Sequence, residues 1–253
     1  MLEVDKKLFI FKSKKVFFAD APFDIKGCHE LRFIYCKNKV DANGFECKKE
    51  LTLITDLTQD LDTIWMGMNR NSQRNIKRAE TLGIKISIRK DFNQFYKIYL
   101  SLFRKKGILP FLRMFGFGII PLDVMEKYGT LFVAEYDGEI LEGTVYLENK
   151  HDVYSWAGAS KRFEVDSKKA GLIACASRLC IWEAMKHYKE NNKIVYDHGG
   201  MWPQEEAEND ARKEGINRYK LSFGGDIVTR YSYSKVYSNM YNFMQKLYSL
   251  RNL

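Results

Sequence analysis

Four prolines in 253 residues leave little room for a linker-rich chain. Cysteine is also sparse, and its count of five is odd. None of Cys28, Cys36, Cys47, Cys175 and Cys180 forms a C-x-x-C pair, and no Cys/His cluster has zinc spacing, so neither a disulfide framework nor a metal site is expected. Cys175 and Cys180 fall in an apolar helical pattern and read as core thiols. Thiols of this kind fit a reducing compartment. No apolar run approaches the roughly 20 residues that span a bilayer, and the opening Met1-Leu2-Glu3-Val4-Asp5-Lys6 is too polar for a secretion signal. A cytoplasmic protein is therefore expected. There is no Ser-His-Asp order, no P-loop and no Gly-x-Gly-x-x-Gly fingerprint, which removes several common enzyme classes.

What the chain does have is hydrophobic mass and positive charge. Its 45% hydrophobic content, including 15 Tyr and 17 Phe, is enough to build a core and argues against disorder. The net charge of +9 favours polyanionic partners, namely RNA, nucleotide phosphates or an anionic membrane surface, but it also suits a merely soluble surface.

Residues 1–58 read as β-rich. The Leu-Phe-Ile-Phe and Val-Phe-Phe runs between 7 and 19, broken by Lys12-Ser13-Lys14-Lys15, predict two short strands or one hairpin. Strands are also predicted at 31–36 and 51–54, with a turn at 41–44. One helix is predicted over 60–82. Trp65, Met68, Ser72, Ile76 and Ala79 mark one side of it, and Arg70, Arg74 and Arg78 mark another, with Gly83 as the cap. Those arginines are either a solvated stripe or an anion-binding ridge. A strand at 84–88 and a helix burying Phe95, Ile98, Tyr99, Leu102 and Phe103 follow. The apolar stretch 108–120 reads as a packed loop, a lid or acceptor-pocket wall, or a patch that touches a membrane or partner.

Residues 131–159 read as an antiparallel meander of three strands, turning at Asp137-Gly138. Asp166-Ser167 caps a long helix whose first turn holds Lys168, Lys169 and Gly171, a place where helix amides bind anions. The run 193–197 predicts a buried strand ending in Asp197-His198-Gly199-Gly200-Met201-Trp202. An acidic, helix-prone segment leads to Gly215-Ile216-Asn217-Arg218-Tyr219-Lys220-Leu221-Ser222-Phe223-Gly224-Gly225, where Tyr219 and Lys220 read as strand residues. A strand from 226 to 233 and a helix carrying Val236, Met240, Phe243, Leu247 and Leu250 complete the chain.

The order "YD-x-GG, acidic helix, GI-x-x-YK-x-x-FGG" resembles the C-terminal half of the FemABX acyltransferases, relatives of the GNAT fold that add aminoacyl groups to peptidoglycan precursors. The block from Met68 through Ile76, Lys77, Arg78 and Ala79 to Gly83-Ile84 resembles the "R-x-x-I-x-K/R-A-x-x-x-G-I/V" helix of that family. Together the blocks cover roughly residues 60–233. The resemblance implies an α/β fold of GNAT type: a mixed, mostly antiparallel sheet flanked by helices over residues 59–253. Residues 1–58 would be a degenerate first GNAT-like half.

By the same resemblance, the lysine of the aromatic–Lys motif stabilises the oxyanion of acyl transfer, which points to Lys220. Asp197 is the second catalytic candidate, as a base or a receiver of the acceptor ammonium, or it only caps its turn. Tyr219, Gly199, Gly200 and Trp202 are candidate substrate contacts. Lys168, Lys169, Gly171, Arg70, Arg74 and Arg78 are candidate contacts to the donor. His198 lacks a partner that would make it catalytic, and Glu135 and Glu142 read as bases or, more simply, as edge residues. No tightly bound cofactor is expected, with aminoacyl-tRNA or acyl-CoA as co-substrate and a cell-envelope peptide, amino sugar or other small amine as acceptor. The competing reading is a non-catalytic RNA-binding module on the same scaffold.

Overall fold

A computed structural model describes residues 1–8, 10–105 and 119–243. In chain order the strands and helices are β1 (Leu2–Leu8), β2 (Phe11–Phe17), β3 (Glu30–Cys36), β4 (Glu46–Asp56), α1 (Leu61–Gly67), α2 (Arg70–Thr81), β5 (Lys85–Arg89) and α3 (Asn93–Lys105). They continue with α4 (Leu122–Tyr128), β6 (Thr130–Tyr136), β7 (Glu139–Glu148), β8 (Asp152–Ser160), α5 (Ser167–Glu190), β9 (Val195–Met201), α6 (Gln204–Glu208), α7 (Ala211–Leu221) and β10 (Asp226–Val236). The chain divides into two compact units, one of Met1–Glu50, Phe103–Tyr128 and Thr229–Leu253, the other of Leu51–Leu102 and Gly129–Val228.

In the first unit the strand order is β1-β2-β3-β10, with β2 and β3 parallel and the other pairs antiparallel. Val16, Leu31, Phe33, Cys36 and Tyr233 form its core. The lysine-rich run Lys12–Lys15 does not break this sheet, contrary to the sequence expectation. It lies inside β2, where Lys14 is held by Glu3 at 2.6 Å and Asp5 at 3.0 Å across the β1–β2 ladder. Charge of opposite sign on the neighbouring strand makes a strand position of what looked like a loop.

The second unit carries the order β4-β9-β8-β7-β6-β5, antiparallel except for β8 against β9. The expected mixed, mostly antiparallel sheet flanked by helices is thus observed. α5 supplies the largest helical share of the core: Ile173, Ala176, Leu179, Cys180, Ala184, Met185 and Tyr188 are buried with Phe132, Leu141, Tyr146 and Tyr196 of the strands. Burying an apolar side chain of that size contributes about 1.5–3 kcal/mol. The five cysteines are all free thiols.

The single helix expected over 60–82 is two. Met68 and Asn69 are extended, and the Asn69 side chain accepts the Ser72 amide at 2.8 Å to start α2 afresh. The break leaves the Asn69 amide to donate to the Ser222 carbonyl at 3.1 Å. Asparagine is a strong N-cap, and a capped restart competes well with helix continuation there. β4 runs over 11 residues, well beyond the predicted 51–54. Residues 108–118 of the apolar stretch, and Leu247 and Leu250 of the final stripe, lie outside the described residues. Among those described, no helix is long and apolar enough to cross a membrane.

Candidate active site

β8 and β9 run parallel, and their ladder has only three rungs, Asp152–Val195, Val153–Tyr196 and Tyr154–Asp197. Past those rungs, residues of both strands line a cavity of about 910 Å³ within the second unit. Side chains alternate along a strand, so β9 presents Tyr196, His198 and Gly200 to the cavity. The facing walls come from β7 (Glu142, Thr144), α5 (Ser177, Arg178) and α7 (Tyr219, Lys220).

Tyr219 and Lys220 stand on the last turn of a helix, which corrects the strand expected there. Asp210 caps that helix through the amides of Arg212 and Lys213, and Gly224 and Gly225 end it with φ of 77° and 89°. At Gly225 an added Cβ would come 2.2 Å from the Ile54 carbonyl oxygen, so the bend needs glycine. The Lys220 ammonium donates to the Gly200 carbonyl at 2.7 Å. Burial lowers its pKa to about 8, and nearby Asp197 opposes the shift. A lysine Nζ has three N–H donors, so this bond leaves two for a ligand. Gly199, at φ 80°, lies close beside it: a Cβ there would sit 3.4 Å from Nζ and 3.3 Å from the Ser155 carbonyl oxygen.

Tyr219 is held between an edge-to-face contact with Phe223 at 5.4 Å and the Arg178 guanidinium 5.1 Å from its ring centre. Arg178 donates to Ser72 Oγ and the Ala174 carbonyl, which fixes the cation under the ring. His198 is buried. Burial first, and then Lys220, lower its pKa to about 3, so the ring is neutral at ordinary pH; Nε2 lies 2.9 Å from Thr55 Oγ1. Behind it the buried Tyr196 and Tyr146 hydroxyls are hydrogen-bonded at 2.8 Å.

Asp197 is buried but is not among the residues that line the cavity. Its Oδ1 accepts the Thr52 hydroxyl and the Gly199 amide, a geometry that fixes the turn beneath Lys220. Trp202 lies outside the cavity too. Its ring carries the Lys213 ammonium at 4.2 Å, and its amide donates to Asn217. At the start of α5, Asp166 accepts the Lys169 amide and Glu139 pairs with the Lys169 ammonium at 2.6 Å, so one amide and one cation of the anion site expected at Lys168, Lys169 and Gly171 are already engaged. Arg70, Arg74 and Arg78 are exposed on α2 and make no ion pair among the described residues. The structure therefore brings together Lys220, Tyr219, Gly199 and Gly200, and leaves the other candidates outside the cavity.

Among the charged lining residues, Arg162, Arg178 and Arg212 were not singled out by sequence, and Glu142 was weighed without being chosen. Glu142, taken for a base or an edge residue, is 5% exposed in the middle of a buried strand. Burial raises its pKa to about 7, and hydrogen bonds with Cys180 and Ser177 oppose the shift. Its sequence signal was a single acid inside Ile140-Leu141-Glu142-Gly143-Thr144-Val145-Tyr146-Leu147. Glu135, by contrast, pairs with Arg89 at 2.5 Å. No three metal-ligating side chains gather among the described residues.

No protein-family model matches the chain. No curated protein matches its sequence. Solved structures do match its fold. FemX superposes with a TM-score of 0.60 at 12% identity, over 99% of this chain and 86% of its own. The C-terminal domain of a putative lysylphosphatidylglycerol synthetase from Agrobacterium fabrum gives 0.56 at 12% identity, over 93% and 80%. L-PGS from Bacillus licheniformis gives 0.55 at 12% identity, over 85% and 70%. The chain shares the fold of FemX, as its motifs implied.

Proposed function

We propose that this protein is an acyltransferase that moves an aminoacyl group from an activated ester onto an amine. The observation that carries the reading is the Lys220 ammonium, held inside the cavity on the Gly200 carbonyl with N–H groups to spare. Attack of an amine on an ester carbonyl puts a full negative charge on oxygen. A cation already in place and partly out of water stabilises that charge without reorganisation. The tetrahedral centre then collapses, the C–O ester bond breaks and the amide remains. Tyr219 and Gly199 shape the space beside the ammonium, while Asp197 positions the turn that carries Gly199.

The names of two structures with this fold, lysylphosphatidylglycerol synthetase and FemX, support an aminoacyl donor over a simple acetyl donor. So does the start of α5, where Asp166 and Glu139 already engage the Lys169 amide and ammonium, one amide and one cation that a pyrophosphate would seek. Aminoacyl-tRNA is accordingly the proposed co-substrate, with no tightly bound cofactor. Arg70, Arg74 and Arg78 are proposed to meet its phosphates, and a cell-envelope amine is proposed as acceptor.

The test is incubation with mixed aminoacyl-tRNA and, separately, with acetyl-CoA, scoring loss of the acyl group from the donor. Consumption of aminoacyl-tRNA that vanishes in Lys220→Ala is the expected result. Consumption of acetyl-CoA alone would overturn the donor. Tight, salt-sensitive RNA binding without any acyl consumption would identify an RNA-binding module instead.

A further inference from the structure

Among the described residues that line the cavity, Glu142 is the one acid, against Arg162, Arg178, Arg212 and Lys220. It is almost fully buried, yet its Oε1 has no hydrogen-bond partner. Buried carboxylate oxygens are ordinarily satisfied, so an orphaned one on a cavity wall marks a place for a donor that comes with a ligand. α5 presents Ser177, Cys180 and Arg178, α7 presents Tyr219 and Lys220, and the turn at Lys161–Glu164 presents Arg162. β9 presents Tyr196 and the neutral His198, while Ala134 and Ser160 are its neighbours in register on β6 and β8.

We propose that Glu142 receives the ammonium of the acceptor amine and takes its proton as the amide forms, an inference that rests on the aminoacyl-transfer reading. The bound ammonium first gives one proton to Oε1, which passes it to water, and this frees the nitrogen lone pair. The amine nitrogen then bonds to the ester carbon and gives a second proton to Oε1. As the C–O bond breaks, the same proton passes to the departing alkoxide, and the carboxylate is restored. A carboxyl whose pKa has been pushed up to about 7 can run these transfers near neutral pH. The arginines and Lys220 are cations, which leaves Glu142, among the described residues lining the cavity, as the one group whose charge suits an ammonium.

The binding test needs no knowledge of the natural acceptor. The side-chain carboxyl carbons of glutamate are followed by NMR in the whole protein while n-butylammonium chloride is added. The Glu142 resonance, assigned through its own backbone, is expected to titrate near neutral pH, and its midpoint is expected to fall as the amine is added. Glu142→Gln is expected to weaken butylammonium binding at least about tenfold, whereas Lys220→Ala retains it. A midpoint indifferent to the amine, or equal binding by Glu142→Gln, overturns the proposal. Should Glu142→Gln fail to fold, the wild-type titration still decides. Amine binding at Glu142 without any transfer from charged tRNA would sink the enzyme reading and leave the amine site. Transfer by Glu142→Gln at close to the wild-type rate would do the reverse.

Discussion

Replacing Glu142 with glutamine should make the protein more tolerant of alkali. A carboxyl with an ordinary pKa of 4.5 that is raised to about 7 in the folded state binds its proton more tightly when folded. Stability from this group is therefore fully present below pH 4.5 and is lost progressively as pH climbs through 7, because the unfolded chain ionises first. Between pH 5 and pH 8 the loss works out to about 2–3 kcal/mol, at roughly 1.4 kcal/mol per tenfold change in proton affinity. Glutamine does not ionise and escapes that loss. The assay is urea unfolding of wild type and Glu142→Gln at both pH values, read as a difference of differences so that any cost of the amide itself cancels. A difference below about 0.5 kcal/mol would mean that the carboxyl ionises as in water, and the buried-base argument would fail with it.

Lys220→Ala should leave the melting temperature nearly unchanged and cut turnover at least about a hundredfold, the usual cost of one oxyanion donor; a tenfold effect or less removes that role. The pH profile of kcat/KM should be a narrow bell, rising near 7 as Glu142 loses its proton and falling near 8 as Lys220 loses its own. In Lys220→Arg the falling limb should move to higher pH, because a guanidinium stays charged; an unmoved limb assigns it to another group. Gly225→Ala should cost at least about 3 kcal/mol in chemical denaturation, since φ is 89° and the new Cβ meets the backbone oxygen of Ile54; a smaller loss means the bend can relax.

Local chemistry made much of this molecule readable in sequence. The meander announced itself through Asp137-Gly138, and the long helix through Asp166 and its wide apolar stripe. The aromatic–lysine pair between glycines led to Lys220. Errors came where a distant partner decided the outcome. Lys12–Lys15 looked like a break because Glu3 and Asp5 are matched to it only by the β1–β2 register. The α1–α2 interruption depends on Ser222, far along the chain, offering its carbonyl to Asn69. Glu142 was undervalued for the same reason. A lone acid in an apolar strand has no sequence mark that separates an exposed edge from a cavity wall, and only the packing of α5 and α7 distinguishes them.

Gly199 has a consequence for how this site can vary. Its backbone sits in the left-handed region, and its bare α-carbon leaves the gap through which the lysine reaches the neighbouring carbonyl. Asparagine tolerates that conformation better than most residues, yet even its Cβ would press on the Ser155 carbonyl oxygen at 3.3 Å and touch the ammonium at 3.4 Å. A library screened for abundance and the same library screened for turnover should both disfavour side chains at this position, turnover the more so because the lysine's reach is crowded as well.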